Sequence, residues 1–376
     1  MEIYLDNAAT TRVCPEAAEK AYSTMLEYYG NPSSTHTKGR EAKAVLDTAR
    51  RQVSGALGCE PNELFFTSCG SESDNWAIIN GAESMKRKGM HVISSEAEHD
   101  AVRKSMHELE KRGFEVSFLA PSPDGSVSVE SVLAALRPDT VLISLMLVNN
   151  ETGAVTDIAS IAKAVKARGS SALIHTDAVQ GFMKTPFSAK KLGADMISIS
   201  GHKIHAPKGI GALYIRNGVK IKPYICGGAQ ESGMRAGTEP MPQIAAFGVA
   251  SELAKASMPE YTARMEKLRG DVIRRISDEM PDAVVIGGGA PHILSISLPG
   301  YRSEVIMNYL EARGIYVSRS SACKKGGRSH VLEAMKLPTR VIDGAVRISF
   351  SRYTTEEDAD ALCSALKDAH DSLAHR

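Results

Sequence analysis

The sequence predicts an α/β protein: a large domain with a mostly parallel sheet, then a smaller C-terminal α/β domain. Three observations carry this. Short apolar runs alternate with helical patterns from residue 38 to residue 215, as in a parallel sheet covered by helices on both faces. A helical stretch from about 243 to 280 is long enough to link two domains, and a second strand–helix alternation fills 292–373. The chain of 376 residues is too long for one ordinary core.

The elements follow in order. Residues 38–57 put Ala42, Val45, Leu46, Ala49, Val53 and Leu57 on one helical stripe. Strands are then expected at 63–68, 91–95, 114–119, 140–148, 172–176, 196–200 and 211–215, with helices at 72–88, 99–112 and 157–168 and a short one after 119. The tail reads strand 292–298, helix 303–313, strand 314–318, helix 329–336, strand 345–350, helix 355–373. Thr355 with Asp358 is a capping-box signature for the last helix.

Composition narrows the function. A net charge of +1 and an apolar content of 43% suit a globular protein and suggest no nucleic-acid footprint. The six cysteines form no CxxC pair, which argues against a zinc site or a disulfide framework and for reduced, cytoplasmic thiols. The start MEIYLDNAATT has no basic region followed by an apolar one. The longest apolar run, VLISLMLV, is too short to span a bilayer. No membrane and no direct nucleic-acid partner are expected.

In parallel sheets ligands sit beyond the carboxyl ends of the strands. The polar groups there fall at 68–73, 98–100, 149–151, 177–180 and 200–203. Lys203 ends the run MISISGH, either as a solvated flank or as a reactive amine. Asp177 is either a helix cap or the partner of a cationic ring nitrogen. Pyridoxal phosphate needs that pair, a lysine for covalent attachment and an acid that keeps the pyridine protonated. Gly70 and Ser71 open a helix, an ordinary cap or an anion site. With Ser200 and His202 beside the lysine, a phosphate cup is the better reading. His99 is a surface histidine unless a ring lies beside it, where it can stack and move protons.

With these residues in hand the chain resembles the class V aminotransferases of the fold-type I pyridoxal-phosphate enzymes. Within them it is similar to the cysteine desulfurases of the nitrogen-fixation and iron–sulfur-assembly type. The resemblance runs from YLDNAATT (4–11) to RISFSRYTTEED (347–358). It includes GNPSS (30–34), TSCGSESDN (67–75), EAEHDAV, VNNETG (148–153), HTDAVQ, SGHKIHAPKGIGALY (200–214), GGAQESGMRAGTE (227–239) and SRSSAC (318–323). It implies that Lys203 holds the cofactor and moves the substrate proton. Asp177 would bind the ring nitrogen and Gln180 the phenolic oxygen, with His99 stacked on the ring. Gly70, Ser71, Ser200 and His202 would hold the phosphate, joined by Thr238 from the partner subunit of a homodimer. Asn150 and Arg347 would receive the substrate carboxylate, for which a planar guanidinium is suited. The expected division is a large domain 13–258 and a small domain of 1–12 and 259–376.

Cys323 differs from Cys14, Cys59, Cys69, Cys226 and Cys363. It lies in the polar, Gly-rich SRSSACKKGGRSH, with two lysines directly after it. A thiol there is a strong nucleophile even when little of it is thiolate, and adjacent cations raise that fraction. The resemblance makes it the sulfur acceptor. It implies L-cysteine as substrate, a persulfide on Cys323, and a protein acceptor such as an iron–sulfur scaffold or a tRNA-thiolation enzyme. The chain departs from the first group of the family at Arg319 and Ser320, has a segment after Cys323 about two residues shorter, and has Cys69 where glycine is common. The alternatives are a selenocysteine lyase or other β-eliminase on the same scaffold, and a docking protein with weak catalysis. A yellow protein would exclude a bare scaffold.

Overall fold

The computed structural model of the chain describes residues 2–319 and 327–373. Among these, seven strands form the main sheet, in the order Leu64–Thr67, Gly211–Ile215, Met196–Ser200, Leu173–Asp177, Thr140–Ser144, His91–Ser95, Glu115–Leu119. The pairs from Met196–Ser200 to Glu115–Leu119 are parallel, and Gly211–Ile215 runs antiparallel to both its neighbours. The sheet is therefore mostly parallel, as expected. Every residue of the four strands from His91–Ser95 to Met196–Ser200 in this order is buried, which is why they read as continuous apolar runs rather than alternations.

The helix Thr37–Leu57 buries the predicted stripe and stops at Gly58, whose φ of 76° is left-handed. The helix expected at 72–88 begins two residues earlier, at Gly70, and passes through a single π turn at Trp76–Asn80 before ending at Met85. The expected strand 140–148 leaves the sheet at Ser144. Leu145 and Leu147 still donate to His175 O and Asp177 O, but the Met146 amide is taken by the Glu98 carboxylate at 3.0 Å. The apolar residues 145–148 thus wall a cleft instead of extending a ladder.

The expected strand 314–318 splits in two. Ile315–Tyr316 pairs in parallel with Ile3–Tyr4, and Ser318–Arg319 joins a four-stranded antiparallel sheet with Ala345–Ser349, Ile293–Ser297 and Val284–Ile286. Elements with no counterpart in the sequence reading include the strand Val284–Ile286 and the helices Pro15–Glu27, Ala189–Leu192 and Thr339–Asp343. The signal for the first of these helices was Pro15, since proline suits a first helical position. The capping box forms: Asp358 N donates to Thr355 Oγ1 at 3.2 Å and Thr355 N to Asp358 Oδ2 at 3.0 Å.

One apolar core, with Leu46, Val53, Ile174, Ile197 and Phe247, lies on one face of the main sheet. A second, with Trp76, Met106, Leu142 and Met196, covers the other. A third surrounds the small sheet with Leu5, Met265, Leu294, Ile348 and Leu362. The helix Met241–Glu279 spans 39 residues. It gives Phe247 and Ala254 to the first core and Tyr261, Met265 and Val272 to the third, and Met258 packs against both. Among the described residues no helix is long and apolar enough to cross a membrane.

Candidate active site

Strand ends, the N-terminal stretch and the small sheet meet at a cleft of about 340 Å³. Gly70, Ser71, His99, Asn150, Asp177, Gln180, Ser200, His202, Lys203 and Arg347 line it together. Thr238 does not; it is exposed on the segment that follows the left-handed Glu231 and Ser232. Cys323 lies outside the described residues.

Lys203 sits in the single turn Gly201–Lys203 directly after the strand Met196–Ser200. Its Nζ donates to Ala8 O at 2.7 Å and Ala9 O at 2.6 Å. The N-terminal stretch thereby holds the amine at the cleft. It is tied there in turn by Thr11, whose amide and hydroxyl both donate to His202 O. Ala8 O also accepts from Gln180 Nε2 at 2.8 Å, and Lys184 Nζ donates to Gln180 Oε1 at 3.1 Å.

The cleft floor is built for an anion. Cys69 precedes the helix starting at Gly70 without a side-chain cap, so helix amides face outward. A Cβ at Gly70 would come within 2.6 Å of Val179 Cγ2, so only glycine leaves this space open. Ser200 Oγ is buried without a hydrogen-bond partner, a condition that costs free energy unless a ligand supplies one. Burial and the charge of Lys203 push the His202 imidazole down to about 3, and its Nδ1 lies 3.2 Å from Thr10 Oγ1.

Asp177 ends its strand, buried, and one carboxylate oxygen accepts from Val179 N at 2.9 Å. Burial raises its pKa, and the nearby His99 and Lys203 only partly offset this. It is a carboxyl group short of a close cation. His99 caps the helix Asp100–Lys111, its Nδ1 accepting from Ala101 N at 3.1 Å. That bond assigns the ring proton to Nε2. Arg347, on the small sheet, donates from Nη2 to Asp6 Oδ1 and from Nη1 to Asn150 O, both at 2.8 Å, while Nε is buried without a partner. Ser318 pairs directly with Arg347 across the sheet.

Sequence reading gave no role to several contributors. The Ala8 and Ala9 carbonyls carry no side-chain signal. Asp74 and Glu98 lie buried nearby, each held well above the carboxylate range by burial and then, for Asp74, by Asp177. Asp74 lay within a quoted motif and Glu98 at a strand end, so both positions, though not their protonation, were visible.

The aminotransferase class-V family profile matches residues 3–362. A cysteine desulfurase of Trichormus azollae is 41% identical over 376 residues, covering 99% of this chain and 93% of the relative. A solved NifS-like protein superposes with a TM-score of 0.93 at 38% identity, over 99% of this chain and all of the other. SspA, solved in complex with cysteine, gives a TM-score of 0.81 at 31% identity, over 94% of this chain and all of the other. A profile match across nearly the whole length, on a sheet whose strand ends converge as described, means that the chain belongs to the class V aminotransferase family.

Proposed function

We propose that this protein is a pyridoxal-phosphate-dependent cysteine desulfurase. It converts L-cysteine to L-alanine and moves the sulfur to Cys323 as a persulfide, then to a protein acceptor. The observation that carries this is the grouping in one cleft of an amine, a buried acid whose burial its neighbours only partly offset, and an anion cup: Lys203, Asp177, and Gly70 with Ser200. The names of the relatives support the choice of cysteine.

The residues present fit the cofactor. Gly70, Ser71, Ser200 and His202 would hold its phosphate, Asp177 its ring nitrogen and Gln180 its phenolic oxygen, with His99 against the ring and Lys203 attached covalently. A cationic ring nitrogen would favour the carboxylate form of Asp177 against the effect of burial. Bound there, the cofactor would draw electrons from the substrate Cα–H bond. Arg347 and Asn150 orient the substrate carboxylate, and Lys203 takes the Cα proton. The Cys323 thiolate attacks the substrate sulfur. The new S–S bond forms as the Cβ–S bond breaks, and its electron pair stays on carbon and takes up a proton. L-Cysteine plus a thiol thus becomes L-alanine plus a persulfide. Cys323 follows Arg319 by four residues, a tether of at most about 14 Å from the strand beside Arg347.

The proposed division is a large domain of 13–258 and a small one of 1–12 with 259–376, supported by the change of core along Met241–Glu279 at Met258. The active unit is a homodimer in which Thr238 of each chain reaches the phosphate of the other. Its support is the outward exposure of Thr238 and an exposed apolar patch of Tyr22, Met25, Leu26 and Tyr29. A cytoplasmic setting fits the unpaired thiols Cys14, Cys59, Cys69, Cys226 and Cys363.

Incubating the yellow protein with L-cysteine, with and without a reductant, should yield alanine and, on reduction, equal sulfide. Lys203→Ala should lose the colour and the alanine together. Pyruvate in place of alanine would indicate β-elimination and refute the desulfurase reading.

A further inference from the structure

The back of Lys203 opens on a second space. The cleft of about 340 Å³ reaches the lysine from the cofactor side. Behind it, a cavity of about 20 Å³ has a mostly apolar wall that also carries Asn7, Thr11, Lys184, Lys203, His205, Ser351 and Arg352. A surface groove of about 750 Å³ shares Asn7, Thr11, His205 and Ser351 with that cavity. Lys203 therefore borders two openings, and four polar residues connect the second one to the surface.

The size of the middle cavity decides what it holds. One water needs roughly 10–15 Å³ of such volume together with polar partners, and this wall supplies an amide, hydroxyls and two amines. Lys184 is buried, and its Nζ donates to Gln180 Oε1 at 3.1 Å. Burial, then the charges of Lys203 and Arg347, push its amine well below the ordinary value. Acting in the relay as the neutral amine, the form this shift favours, it offers a lone pair to accept a proton. His205 is buried at the junction with the groove and engages Arg12 O through Nδ1 at 2.8 Å. Donation from Nδ1 leaves its Nε2 as an acceptor.

We propose that this cavity holds one water through which Lys203 exchanges its proton with solvent, and that Lys184 is the buried relay and positioning residue on that route. This rests on reading Lys203 as the base that takes the Cα proton. In the step, the Lys203 ammonium gives a proton to the water as the water gives one of its own to Lys184 Nζ. Lys203 becomes an amine and Lys184 an ammonium; no bond to carbon changes and nothing is oxidised. Lys184 then returns its proton through the same cavity to the groove, past Asn7, Thr11, His205 and Ser351.

The test uses L-cysteine carrying deuterium at Cα, turned over in ordinary water by the full-length yellow protein. Wild-type alanine should retain little deuterium, because the label washes out behind Lys203. Lys184→Met should raise the retained fraction several-fold. Ala254→Val should do the same; Ala254 is a buried wall residue of the cavity, and the extra methyl groups displace the water. A variant that is merely damaged turns over slowly and retains less label, the opposite direction. Retention that stays at the wild-type level or falls in both variants, with colour and melting temperature intact, overturns the proposal. A crystal structure of the full chain should show a water within hydrogen-bond distance of both Nζ atoms, and a dry cavity would overturn it independently. A wild type that makes no alanine refutes the desulfurase reading, while the crystal still reports on the water.

Discussion

Ser200 Oγ, Asp74 Oδ1 and the Arg347 Nε share one condition: each belongs to the cleft lining and is buried without a hydrogen-bond partner. Each such group costs on the order of 1–3 kcal/mol when left so, and three in one cleft mark where a ligand offsets that cost. The cysteines divide by the same reasoning. Burial pushes the Cys59 thiol up to about 12 and that of Cys363 to about 11, so both stay protonated and inert at neutral pH. Cys323→Ser should therefore keep the yellow colour yet lose alanine formation by orders of magnitude, because a hydroxyl cannot replace the thiolate. Cys59→Ala and Cys363→Ala, assayed beside it, should keep most of the rate. A serine variant that makes alanine at the wild-type rate would remove Cys323 from the mechanism.

At the scale of elements, the loop 149–153 and the helix His330–Ala334 meet through one carboxyl group. Glu151 accepts from Ser329 Oγ, and Ser329 also caps that helix through Leu332 N at 3.1 Å. Burial raises the Glu151 pKa from 4.5 to about 7, against the pull of Ser329 and Arg347. Between these values the folded state holds a proton that the unfolded state has released. Stability from this group is thus full below about pH 4.5 and lost as pH rises towards 7, with no further change above. Glu151→Gln keeps the acceptor and removes the titration. Urea unfolding of both proteins across pH 4.5–8 should show the variant gaining on the wild type, up to on the order of 3 kcal/mol at neutral pH. A difference independent of pH would mean that Glu151 is ionised in the fold.

For the whole molecule the site joins two sheets: Lys203 and Asp177 come from the main one, Arg347 from the small one, and residues 6–11 bridge them. Thr238, proposed to reach the partner's phosphate, is exposed and does not line its own cleft. Sedimentation should return about twice the 40.3 kDa chain mass. Thr238→Ala should leave that mass unchanged and weaken cofactor affinity about tenfold, the worth of one lost hydrogen bond to a charged group. A monomer with full activity would dismiss the shared site.

The sequence by itself determined the parallel sheet, the order of its strands along the chain and the polar residues at their ends, because fully buried strands read as apolar runs and strand ends read as sudden polarity. It also determined the last helix cap, a contact between neighbours in sequence. Tertiary structure decided the rest. The run 145–148 is as apolar as a strand, and only the Glu98 carboxylate turns its Met146 amide out of the ladder. The acceptors that hold Lys203 are the carbonyls of Ala8 and Ala9, and a carbonyl looks the same at every position. Lys184 reads as an ordinary basic residue until burial pushes its amine well below the usual lysine value. These properties depend on what folds against a residue from far along the chain, and no local pattern encodes them.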